Sequence, residues 1–213
     1  MPDRHAPGLP AAARGASVRG MTTPPVLLRP ANRLFVAGVL PEAARAALVG
    51  VGAGLRARHG GRVVPAANLH LTLDFLGRVP PELGPVLAAA VADAMAGPPI
   101  RVALGGLRPR PRASRASLVA VELADRDGAL ARRAARLRAA LDDLLGRPPD
   151  GAPLWPHVTV LRLRPPARVR PADAIEREHL FDISRAALYD SHQSPGGPPL
   201  YRELAAVELA PVP

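Results

Sequence analysis

The sequence predicts an α+β fold built mostly of antiparallel sheet. Three observations lead there. Apolar runs of strand length recur in both halves of the chain, and three segments carry helical periodicity. Their order, β-α-β-α-β-β and then α-β-β-β, departs from the strict alternation of a parallel βαβ protein. At 213 residues the chain has room for one ordinary domain or two small fused lobes, and 48% hydrophobic content supplies a core.

Residues 1–30 are rich in Pro, Ala, Gly and Arg and lack sustained periodicity, so they read as a disordered tail, with a single ordered domain over 31–213. The first strand is expected over Arg33–Leu40. Pro41 and Glu42 then open a helix with Ala44, Ala47, Leu48, Val51 and Leu55 on one face, although Gly50, Gly52 and Gly54 weaken its propensity. A strand follows over Asn68–Leu76. A second helix over Pro81–Met95 aligns Leu83, Leu87, Ala90, Val91 and Ala94. Segments Ile100–Leu107 and Ser117–Leu123 read as strands separated by a basic loop, Arg108–Arg115. The third helix has the clearest pattern: Leu130, Ala134, Leu137, Leu141 and Leu144 share a face, Asp127 is the cap, and Gly146 and Pro148 are the stops. Strands are expected over His157–Leu163, Leu180–Tyr189 and Leu200–Leu209.

Composition narrows the function classes. No run of about 18 apolar residues occurs, so no membrane helix is expected. The N-terminal stretch has no long apolar core and does not read as a secretory signal. The chain has no cysteine, which excludes disulfides and thiolate metal sites and fits a reducing, cytoplasmic setting. The net charge is +10, and every one of the 28 basic residues is arginine. Arginine suits phosphate recognition, but an Ala-, Arg-, Pro- and Gly-rich chain is also what a GC-rich genome encodes, so charge alone argues weakly for nucleic acid.

Chemistry is concentrated in two repeated motifs, His70-Leu-Thr-Leu73 and His157-Val-Thr-Val160. Strand alternation puts His70 with Thr72, and His157 with Thr159, on one face of their strands. The intervening Leu71, Leu73, Val158 and Val160 point into a core. A single His-x-Thr is common and usually means nothing, whereas two copies in like contexts, one per half of the chain, are specific. Two such platforms facing one cleft would surround a small anion with two imidazoles and two hydroxyls. That set suits the opening of a cyclic phosphodiester. One histidine deprotonates the attacking water, the other protonates the departing ribose oxygen, and the hydroxyls hold the non-bridging oxygens. The scheme needs no metal or other cofactor. His5, His59, His179 and His192 lack the threonine partner and read as surface residues.

Two other classes compete with this one. A metal-dependent phosphohydrolase would use the same histidines as ligands, but Asp74 is the one carboxylate in either motif, and such sites usually mix imidazole with carboxylate. A non-catalytic RNA-binding protein would use the arginine-rich loops and would not need the His-Thr pairs.

The motifs resemble those of the 2H phosphoesterases, and specifically the RNA 2′,3′-cyclic phosphodiesterases also known as 2′-5′ RNA ligases. Pro65-Ala-Ala-Asn-Leu-His-Leu-Thr-Leu-Asp-Phe-Leu-Gly77 is similar to the family's first motif and Pro156-His-Val-Thr-Val-Leu-Arg162 to its second. The opening Arg33-Leu-Phe-Val-Ala, and Leu188-Tyr189 with Tyr201, resemble its first strand and C-terminal hairpin. The resemblance runs from about Arg33 to Leu209. It implies two pseudo-symmetric lobes of sheet and flanking helices around a central groove, His70 and His157 as catalytic residues, and a 2′-phosphate product without metal. It also implies a monomer acting on RNA or nucleotides with a 2′,3′-cyclic phosphate end, or ligating RNA at the same site. Phe75 is implied as a nucleotide contact and Arg162 as a phosphate clamp beside Thr72 and Thr159. Strict alternation turns both Phe75 and Arg162 away from their histidines, so each strand would need a bulge to bring them round.

Overall fold

The computed structural model describes residues 33–149, 151–170 and 179–210, and the expected tail over residues 1–30 lies outside them. The elements run β1 (Arg33–Gly38), α1 (Glu42–His59), β2 (Arg62–Val63), β3 (Leu71–Arg78), α2 (Gly84–Met95), β4 (Ile100–Arg110), β5 (Ala116–Ala124), α3 (Ala129–Leu145), β6 (His157–Ala167), β7 (Leu180–Ile183), β8 (Arg185–His192) and β9 (Leu200–Glu208). The expected α+β class is the observed one. One sheet has the order β3-β1-β8-β9 and the other β2-β6-β5-β4-β7, with antiparallel pairing throughout. Each sheet carries one His-x-Thr strand. Helix α1 packs on β2 and β6 of the second sheet, while α2 and α3 pack on each other and on the first.

The expected continuous strand Leu180–Tyr189 is two strands. The chain leaves the second sheet at Ser184 and enters the first, where Ser184 O accepts from Leu209 N–H and Arg185 O from Val39 N–H. Both halves keep buried apolar residues, so periodicity gave no sign of the change of partner. The basic loop is also shorter than expected, because β4 continues through Arg110 and a 3₁₀ turn over Ala113–Arg115 follows.

Helix α3 is capped by two aspartates. Asp127 Oδ1 accepts from Ala129 N–H at 3.0 Å, and the Asp125 carboxylate accepts from Leu130 and Ala131 at 3.2 and 2.8 Å. Gly146 ends the helix in the left-handed region at φ 60°. Leu144, expected in the core, is exposed, while Asp142 is buried because it meets a cation described below.

In α1 the buried face is Ala44, Leu48, Gly52 and Leu55. Gly52 costs helix propensity, but it lets the helix approach the second sheet closely. A Cβ there would lie 2.9 Å from Val63 Cγ1 and 3.0 Å from the Val160 carbonyl oxygen, whereas one at Gly50 would meet nothing. The same substitution should therefore have opposite effects two residues apart. Gly50→Leu should stabilise the fold by about 0.5–1 kcal/mol through helix propensity. Gly52→Leu should cost about 1–3 kcal/mol through overpacking. Urea midpoints at unchanged m value test this, and equal shifts in the two variants would contradict it.

Candidate active site

The two catalytic-type histidines are held by the same local device. His70 Nδ1 lies 2.7 Å from the Asn68 carbonyl oxygen, and His157 Nδ1 lies 2.8 Å from the Trp155 carbonyl oxygen. A carbonyl only accepts, so each Nδ1 carries the proton and each neutral ring is left with its lone pair on Nε2. His70, Thr72, His157 and Thr159 line one cleft of about 420 Å³. The sequence motifs thus meet across the junction of the two sheets.

Phe75 and Arg162 line the same cleft, and bulges bring them there. In β3, Val36 and Ala37 pair with Asp74 and Thr72, so Leu73 is an extra residue; Leu76 is a second, between the partners of Leu34 and Phe35. The buried positions run Leu71, Leu73, Leu76 rather than strictly alternating. The phase slips by one, and Phe75 joins Thr72 at the cleft. In β6, Val119 and Ala120 pair with Leu161 and Thr159, which makes Val160 the extra residue. Val160 and Leu161 are both buried, and Arg162 emerges on the side of Thr159. The Val160 carbonyl at this bulge accepts from Val64 N–H at 2.9 Å and lies under Gly52.

The first bulge has its own brace. Arg147, just beyond α3, lies 2.6 Å from both Asp74 Oδ2 and Asp142 Oδ1 and donates from Nη1 to the Phe75 carbonyl at 2.9 Å. Asp74 does not line the main cleft, so the one carboxylate inside either motif is spent on this bridge. Among the described residues no set of three or more His, Asp or Glu gathers as metal ligands would.

Burial lowers the pKa of both histidines. For His70 the carbonyl of Asn68 opposes that effect, and the neighbouring His157 and Arg162 add to it. For His157 the Trp155 carbonyl and Glu122 oppose it, and Arg110 adds to it. His70 packs against Phe35 and the edge of Tyr201, with ring centroids 4.9 and 5.2 Å away.

Sequence reasoning missed four residues here. Tyr201 and Arg62 line the cleft, and Asn68 and Trp155 supply the carbonyls. Asn68 is itself tied to the β8–β9 loop by donating from Nδ2 to Pro199 O at 2.7 Å. The local signal for the carbonyls was the common spacing of two residues before each histidine. Nothing local marked Arg62. His59, His179 and His192 do not line the cleft, and His192 Nε2 lies 2.6 Å from the buried Asp190. His5 is outside the described residues.

The sequence model of the 2′-5′ RNA ligase superfamily matches residues 41–194. The chain belongs to this superfamily. An RNA 2′,3′-cyclic phosphodiesterase from Thermus thermophilus is 37% identical over 172 residues, covering 78% of this chain and 85% of that protein. A Thermus thermophilus crystal structure superposes with a TM-score of 0.73 at 33% identity, over 84% of this chain and 98% of the other. Escherichia coli LigT solved with phosphate gives 0.66 at 26% identity, over 85% of this chain and 99% of LigT. The two-sheet architecture is therefore the superfamily's, and the paired His-x-Thr strands sit within the matched residues.

If Arg147 holds the bulged segment of β3, its removal should be felt in the fold. Arg147→Met leaves two carboxylates facing each other without their cation. The guanidinium is 28% exposed, so the expected loss is about 1–3 kcal/mol, below that of a fully buried pair. An unchanged denaturation midpoint would show that the bulge needs no such brace.

Proposed function

We propose that this chain hydrolyses terminal 2′,3′-cyclic phosphates of RNA to 2′-phosphates, with His157 as general base and His70 as general acid. The observation that carries this reading is the pair of imidazoles with Nδ1 fixed on carbonyls, so that both Nε2 atoms serve one cleft. His157 Nε2 takes a proton from water as the water oxygen bonds phosphorus. The P–O3′ bond breaks, and His70 Nε2 gives its proton to O3′. The hydroxyls of Thr72 and Thr159 and the guanidinium of Arg162 hold the non-bridging oxygens and stabilise the charge that grows on them. Phe75, which is 69% exposed, offers an apolar face to the terminal nucleoside. The Thermus relative's activity supports the assignment of reaction and substrate.

The cleft also suits an RNA longer than one nucleotide. Arg62 pairs with Arg162, Arg162 with Leu118, and Leu118 with Arg110 across four neighbouring strands. Cross-strand partners share a face, so this row sets Arg62 and Arg162 at the cleft and Arg110, stacked on Trp155, farther along the same side of the second sheet. Arg108, expected to belong to the same basic tract, is instead held by Glu122 at 2.9–3.0 Å. The row should make binding of a cyclic-phosphate oligonucleotide more salt-dependent than that of the mononucleotide. Equal slopes of log K against log salt would confine recognition to the terminal nucleotide.

The central test uses RNA ending in a 2′,3′-cyclic phosphate, with the position of the product phosphate read out. Ala at His70 or His157 should cost about 10²–10⁴-fold in rate. Thr72→Ala and Thr159→Ala should cost less, since each removes one hydrogen bond. A substrate with an activated 3′ leaving group needs no acid, so it should restore His70→Ala but not His157→Ala. Restoration of the other variant would reverse the roles, and wild-type rates in both would end the mechanism.

The pH profile follows from the lowered pKa values. Catalysis requires one histidine protonated and the other neutral, so the profile is a bell whose limbs belong to the pair. In the free protein both limbs are displaced downward. The protonated acid fades as pH rises past its lowered pKa, so kcat/KM should peak on the acid side of pH ~6.5, the ordinary imidazole value. Bound phosphate raises both pKa values, and the kcat profile should peak at higher pH than kcat/KM. A kcat/KM optimum above that ordinary value would contradict the assignment.

A further inference from the structure

We propose that Trp155 is a positioning residue for His157, clamping the imidazole by its ring as well as by its carbonyl. The indole and imidazole centroids are 3.7 Å apart with planes 18° from parallel. The Arg110 guanidinium carbon lies 4.3 Å from the indole centroid. Two groups that close cannot share one face, so Arg110 and His157 sandwich the indole. The indole N–H donates to Glu122 Oε1 at 2.9 Å, which fixes the ring in its own plane. Glu122 stands opposite His157 in the β5–β6 register and is itself held by Arg108. Turning the imidazole away from the cleft would break both its carbonyl bond and its stack.

Among the described residues His70 has no such partner. Its ring neighbours are tilted or edge-on, at 4.9 and 5.2 Å. Trp155 lines a second pocket that shares Thr72, Phe75 and His157 with the main cleft. Its direct ring contact is with the histidine, and its action is assigned there. The inference rests on the base role proposed above, and the experiment separates the two.

Trp155 is the chain's only tryptophan, so its emission reports this one contact. An imidazolium stacked on an indole quenches its fluorescence, whereas neutral imidazole does so weakly. Emission should therefore rise with pH in one step as His157 loses its proton. The charged or titratable groups around His157 are Arg110, Glu122, His70, Arg162 and, across the second pocket, Asp74, Arg138, Asp142 and Arg147. The step should vanish in His157→Ala and persist in His70→Ala. Its persistence in folded His157→Ala would overturn the contact.

Kinetics test the positioning. Trp155→Ala keeps the carbonyl and loses the ring. Its kcat should fall about 10–100-fold, the cost of a loosened catalytic group, with KM within about two-fold, and the pH limb of His157 should rise as solvent enters. Trp155→Phe restores a stacking face and should recover most of kcat. Glu122→Gln retains an acceptor for the indole but removes a negative charge, so both the emission step and that limb should move to lower pH. Wild-type kcat and pH limbs in Trp155→Ala would overturn the positioning role. Full activity in His157→Ala, with the emission step lost, would instead overturn the base role and leave Trp155 as a structural neighbour.

Discussion

Two main-chain carbonyls, those of Asn68 and Trp155, fix how both cleft histidines are held. An imidazole without such a partner rotates and divides its proton between two nitrogens. Here the Nδ1 proton is committed to the carbonyl two residues earlier, and Nε2 is left for chemistry. Because the acceptor is backbone, the aim of each ring is set by the path of the chain entering the strand. That path is anchored from afar. Asn68 is tied to the loop before β9, and Trp155 to residues of β4 and β5. Groups from elsewhere in each histidine's own sheet thereby fix two rings at the cleft.

A second constraint explains the helices. A regular strand offers a cleft the first and third residues of each motif and denies it the sixth. The bulges lift that restriction, but an extra residue in a ladder needs support. The bulge at Val160 lies beneath α1, where Gly52 leaves space for its carbonyl. The Asp74–Phe75 segment is gripped by Arg147, which the end of α3 presents. Each supporting group comes from an element whose own sequence shows no link to catalysis. Gly52 weakens α1 as a helix, and Arg147 follows a helix stop.

These two constraints mark what the sequence could and could not disclose. The His-Thr pairs were legible because alternation is local and the pattern occurs twice. The α3 face was legible from its 4-3 spacing up to Leu141, and failed at Leu144, because Leu145 packs against the core instead and Asp142 turns inward to Arg147 just past the helix end. Phe75 and Arg162 were available only through the family resemblance. Local physics placed both on the wrong face, since a bulge is specified by what packs behind it. The division at Ser184, the two-residue β2 and the neutralisation of Arg108 by Glu122 also depend on partners far along the chain. Tyr201 belonged to a recognisable hairpin, yet its approach to His70 follows from the strand order of the first sheet, where both rings pack on Phe35 of β1.

The electrostatics of the cleft give the histidines their pairing with an anion. With no phosphate bound, burial and the surrounding guanidinium groups disfavour the protonated forms of both rings. The proposed acid–base pair needs one proton between them, and these shifts disfavour that proton in the unfilled cleft. A phosphate diester supplies the missing counter-charge, and linkage then requires that anion binding and proton uptake favour one another. Arg162 takes part on both sides of this balance. It depresses His70 in the empty site and, in the proposed role, holds the very charge that offsets that depression. In the proposed mechanism, the group acted upon thus favours the protonation that its own cleavage requires. A neutral ligand of the same shape would fill the cleft without bringing the proton that the leaving oxygen needs.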